Sequence, residues 1–90
     1  MTTPTYVTQH ARDRFQERTG CVVKDQVLLW LWREGREPYP QEQLHFGFCP
    51  TSYSEYRTVL YHRTAQRLVL VANGKAIVTV FAEKRPQMGR

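Results

Sequence analysis

The stretch that decides the fold runs from Tyr56 to Lys84 and reads YRTVLYHRTAQRLVLVANGKAIVTVFAEK. Three runs rich in Val, Leu, Ile, Tyr and Phe are separated by two turn signals. Asn73-Gly74 is the stronger, because a tight hairpin turn asks its central residues for positive φ, which Asn and Gly accept most readily. The weaker lies around Arg63 to Gln66. The pattern predicts an antiparallel meander with the N-terminal helices packed on one of its faces.

Parity then assigns residues to faces. With Asn73 and Gly74 as a two-residue turn, Ala72 opposes Lys75, Leu70 opposes Ile77 and Leu68 opposes Thr79. A two- or four-residue loop near Thr64 sets Tyr61 against Leu68 and Val59 against Leu70. One face carries Arg57, Val59, Tyr61, Leu68, Leu70, Ile77, Thr79 and Phe81. The other carries Thr58, Leu60, His62, Arg67, Val69, Val71, Val78 and Val80. Both are largely apolar, so the sequence leaves open which one the helices cover. A three-residue loop would flip the first strand, since a one-residue slip exchanges the faces.

Upstream, Thr2 to Thr5 is a short leader and Thr8 the N-cap of a first helix over Gln9 to Thr19, ended by Gly20. At about 100° per residue, Val7, Ala11 and Phe15 form one stripe, and His10, Arg14 and Arg18 an adjacent one. A second helix covers Val23 to Glu34, closed by Gly35. Its apolar residues go most of the way round, so it is either sandwiched in the core or offers Trp30 or Trp32 to a partner. Core or a homodimer interface comes first, a stacked nucleobase second. Arg36 to Gln43 is a connector held extended by Pro38 and Pro40. Leu44 to Phe48 reads as an edge strand with a bulge at Gly47, Cys49 to Glu55 as a polar loop, and Arg85 to Arg90 as a basic tail.

The expected architecture is therefore one α+β domain over residues 1–90, two N-terminal helices on a four-stranded antiparallel sheet in the order ααββββ. A chain of 90 residues buries only about 60% of its unfolded surface and does not divide its core. A net charge of +5 with 41% hydrophobic residues describes a globular, basic protein. That balance favours nucleic acid, an acidic protein or an anionic membrane surface as partner. Met1 to Tyr6 has neither a charged start nor an apolar core, so no secretory leader is expected. The run VLLWLW, Val27 to Trp32, is far too short to span a bilayer. Cys21 and Cys49 read as free thiols of a cytoplasmic protein, with a single bridge between them as the alternative.

No cofactor signature is present: there is no glycine-rich phosphate loop, no paired-cysteine motif and no metal-binding helix, and His45, Cys49 and His62 have no known ligand spacing. What remains is His10, Arg14, Arg18, Arg57, Tyr61, His62, Arg67, Thr79 and Lys84. This inventory suits metal-independent RNA cleavage. A 2′-hydroxyl must lose a proton and attack phosphorus while the leaving 5′-oxygen gains one, work that histidine or tyrosine performs for about 10²–10⁴ in rate. Arginine's permanent charge and flat fork match the phosphate oxygens of the transition state.

Two segments carry a resemblance. Thr8-Gln9-His10-Ala11-Arg12-Asp13-Arg14-Phe15-Gln16-Glu17-Arg18 resembles the first helix of small bacterial and phage proteins near the RelE/ParE-like toxins. Val71-Ala72-Asn73-Gly74-Lys75-Ala76-Ile77-Val78-Thr79-Val80 is similar to their last hairpin. The resemblance implies a compact α/β fold shared by several small ribonucleases, with His10, Arg14 and Thr79 as the active-site positions. His10 would move the proton, Arg14 with Arg18 would clamp the phosphate, and Thr79 would orient the substrate or His10. Arg57, Arg67 and Lys84 would contact the RNA backbone, and a toxin would have an acidic antitoxin partner. The rival expectation is a non-catalytic, phage-type inhibitor that docks on a host nucleic-acid enzyme or defence complex.

Overall fold

The computed structural model describes residues 3–37, 39 and 55–83, and these form β1 (Tyr6–Val7), α1 (Gln9–Thr19), α2 (Asp25–Glu34), β2 (Glu55–Tyr61), β3 (Gln66–Asn73) and β4 (Ala76–Ala82). The strands make one sheet in the order β1-β4-β3-β2. The α+β class and the β2-β3-β4 meander match the reading of the sequence. The sheet is mixed, however, because β1 runs parallel to β4.

That strand was not legible. The N–H groups of Thr5 and Tyr6 donate to the Lys75 carbonyl at 2.7 and 3.2 Å, and that of Thr8 to the Ile77 carbonyl at 3.0 Å. Two residues are too few to show alternation, and no local turn announces a partner so far along the chain. The strand expected over Leu44–Phe48, the loop from Cys49 as far as residue 54, and Lys84 with the tail after it lie outside the described residues, while Glu55, expected in that loop, opens β2.

Within the meander, residues 62–65 form a four-residue turn, and Tyr61 pairs with Gln66, Val59 with Leu68 and Arg57 with Leu70. This register is two residues from the expected one, an even shift that keeps every side chain on its expected face. The second turn is centred on Gly74-Lys75, closed by the pair Asn73 and Ala76. Gly74 has φ 65° and Lys75 does not share it, the φ pattern of a type II′ turn, which takes glycine first.

A bulge then changes the outcome in β4. Ala72 opposes Ile77, but Val71 opposes Thr79 and Leu70 opposes Val80, so Val78 is an extra residue. Val80 turns to the core, while Thr79 and Phe81 move to the other face. The helices cover the face bearing Val59, Tyr61, Leu68, Leu70, Ala72, Ile77 and Val80, joined by Ala11, Phe15, Leu28, Leu31 and Trp32.

Helix α1 begins where the Thr8 hydroxyl accepts the Ala11 N–H at 3.2 Å. Its stripe of Ala11 and Phe15 packs mainly along β4, and the Phe15 ring meets Tyr61 edge-on at 5.2 Å. It ends at Gly20, whose N–H donates to the Gln16 carbonyl at 2.8 Å. Helix α2 starts at Asp25, two residues later than expected. Lys24 offers no side-chain cap, and the Asp25 carboxylate suits the positive end of the helix while pairing with Arg12 at 2.8 Å. α2 reaches from β1 to β2 and ends at Gly35. A β-carbon there would lie 3.0 Å from the Thr58 carbonyl oxygen and 3.1 Å from Arg57 Cβ. The close approach lets Arg36 exchange two backbone hydrogen bonds with Thr58, at 3.0 and 2.7 Å.

Candidate nucleic-acid interface

Helical spacing places His10, Arg14 and Arg18 in one row on the flank of α1. His10 and Arg18 are exposed and Arg14 is half-exposed. No hydrogen bond among the described residues engages the His10 imidazole. Arg14 donates to both oxygens of Glu17, at 3.1 and 3.0 Å. An exposed i,i+3 pair of this kind contributes only about 0.3–0.5 kcal/mol, so an incoming phosphate can displace it. The Arg18 guanidinium lies 5.6 Å from the centre of the Phe81 ring. Its backbone carbonyl accepts from Gln66 at 3.1 Å, and the same amide donates to the Glu83 carbonyl at 3.0 Å. Gln66 thereby ties the end of α1 to the end of β4.

Thr79 does not join this row. Its register partner is Val71, on the face turned from the helices, and the bulge at Val78 put it there. Strict alternation would put Thr79 on the face of Ile77; one inserted residue reverses that. Arg57 is on the helix face as expected, but its guanidinium lies 5.2 Å from the centre of the Trp32 ring and 4.0 Å from a Glu37 oxygen, with 17% of the side chain exposed. It is a packing residue first. Tyr61 is buried in the core against Phe15. Burial pushes its hydroxyl pKa up, Cys21 adds to the shift, and Arg63 opposes it. Cys21 is a free thiol, and Cys49 and Lys84 lie outside the described residues.

The β2 border gathers a second set. Arg67 pairs with Leu60 across β2 and β3, and His62 follows in the turn. With Trp30 and Glu34 from α2 they line a cleft of about 240 Å³. The two tryptophans part company here: Trp32 is 4% exposed and Trp30 53%. The cluster could not be read from the sequence, although Trp30 and Glu34 are four apart on one helix and Leu60, His62 and Arg67 share a parity. Only the four-residue turn and the path of α2 bring the two groups together.

Among the described residues, no group of three His, Cys, Asp or Glu side chains is placed to hold a metal ion. No described helix is long and apolar enough to cross a membrane. Comparison with known proteins found no matching family model, no similar curated protein and no similar solved structure.

Proposed function

We propose that this chain binds single-stranded RNA, with the α1 row of His10, Arg14 and Arg18 as its grip on the phosphate backbone. The observation that carries the reading is that row: three cationic or ionisable groups at successive helical turns, on the flank away from the core stripe, in a chain of net charge +5. Arginine recognises phosphate as a planar fork, and a Glu17 contact this exposed gives way to it. The test is binding of a short single-stranded RNA across a salt series. Each arginine that contacts a phosphate adds about 0.7 to the slope of log affinity against log salt. Arg14→Ala and Arg18→Ala each lower the slope by that amount; an unchanged slope in both removes the row from the interface.

Cleavage by the toxin-type, metal-independent route is a sharper second reading, favoured by the imidazole of His10 lying one helical turn from Arg14 on the same row. A bound phosphodiester would then lie next to a proton-transfer group, with no part for Thr79, which is on the face turned from α1. The reading predicts strand scission in EDTA that vanishes in a folded His10→Ala variant. A docking protein that competes with nucleic acid, or one held by an acidic antitoxin, would use the same row without turnover. Tight RNA binding with no scission in EDTA selects the binding reading.

A further inference from the structure

We propose that the cleft at the β2 border takes one unpaired RNA base, stacked on Trp30, with the attached phosphate held by Arg67. The inference rests on the reading that the chain binds RNA and adds where a base would sit. Two observations point there. Trp30 is 53% exposed on a helix whose Leu28, Leu31 and Trp32 are all buried. Lining the same cleft, Arg67, His62 and Glu34 have side chains with no hydrogen-bond or ion-pair partner among the described residues.

The walls of the cleft differ in kind. Trp30 and Glu34, one helical turn apart, supply an aromatic face and an acceptor. His62 and Arg67, from the β2–β3 hairpin, supply donors and positive charge. A nucleotide has the matching polarity: a flat base whose exocyclic amine donates to a carboxylate, and a phosphate that seeks a cation and avoids that carboxylate. The base therefore belongs against α2 and the phosphate against the hairpin. Whole small molecules occupy pockets of about 300–1,000 Å³, so about 240 Å³ suits a fragment the size of one base.

A second copy of the chain fits less well. The exposed large apolar residues lining the cleft are Trp30 and Leu60, whereas a stable dimer buries about 800 Å² per partner around an apolar centre. The bases must also be unpaired, because a stacked duplex offers no free face to an indole.

The test follows tryptophan fluorescence while the full chain is titrated with oligoadenylate RNA, and in parallel with inorganic polyphosphate, which has charge but no base. Trp32 is buried and supplies a constant background. The expected result is quenching by the RNA and not by polyphosphate, an affinity about 5- to 150-fold lower in Trp30→Ala, and partial recovery in Trp30→Phe, with both variants folded by circular dichroism. RNA binding without quenching, and unchanged in Trp30→Ala, overturns the base site and leaves the RNA reading standing. Absence of RNA binding overturns both. A spectrum that changes with protein concentration alone, together with a dimer in sedimentation that Trp30→Ala dissociates, overturns the base site and assigns Trp30 to self-association.

Discussion

Along α1 each arginine has a neighbour. Arg12 pairs with Asp25 at 2.8 Å, Arg14 with Glu17 at 3.0 Å, and Arg18 lies 5.6 Å from the centre of the Phe81 ring. At the opposite border, Arg67, His62 and Glu34 line one cleft with Trp30, and their side chains have no such partner among the described residues. The two regions hold similar residue types, and what separates them is prior engagement. The α1 row can trade weak, exposed pairs for phosphates and so acts as an exchangeable, salt-sensitive grip. The β2 cleft adds to its own cation an uncovered aromatic face, and stacking on that face is the part of the contact that salt leaves alone.

The largest way to break this comparison is to detach one side. Phe15 is fully buried between α1 and the sheet, edge-on to Tyr61. Phe15→Ala is expected to cost about 3–5 kcal/mol, read as a lower urea midpoint. A loss under 1 kcal/mol would mean that α1 is not anchored by this ring. Gln66→Leu is gentler. It strips donors from the carbonyls of Arg18 and Glu83 and is expected to cost about 1–3 kcal/mol. Hydrogen exchange should show the opening confined to the end of α1 and of β4, with α2 and the β2 cleft still protected.

A smaller effect is the response to alkali. The pKa of Tyr61 is raised in the fold by burial first and by Cys21 second, so the ionised form is disfavoured there. Its share of the stability is complete below the unfolded value of about 10 and is lost as pH rises through the folded value. Tyr61→Phe should flatten that decline in chemical denaturation above pH 10; an unchanged slope would assign the decline to other groups. The smallest expected effect is that of Thr79→Val. With Thr79 on the face turned from α1, RNA affinity and any scission should be unaltered. A loss of activity with intact folding would restore Thr79 to the site.

Local signals were the legible ones. Thr8 and Gly20 bound α1 as expected, and the stripe of Val7, Ala11 and Phe15 is buried. These features depend on residues within one or two turns of each other. The β1–β4 pairing and the bulge at Val78 were not legible, because neither depends on neighbours in sequence. The bulge mattered most for function. Parity counted through Val78 puts Thr79 and Phe81 on the face of Leu70 and Ile77, and one extra residue reverses both. The candidate site was legible as an inventory: Arg67 and Trp30 were both singled out, for different reasons. Their meeting depends on one turn and a helix axis that no periodicity encodes.

The central claim is that RNA is held at two borders by different forces, and one comparison tests it most directly. Affinity for a single-stranded RNA is measured across salt for the parent chain, for Arg14→Ala/Arg18→Ala and for Trp30→Ala. The account predicts a slope lowered by about 1.4 in the double arginine variant, and in Trp30→Ala a weaker affinity at every salt concentration with the slope unchanged. Equal slopes and equal affinities in all three proteins would contradict it.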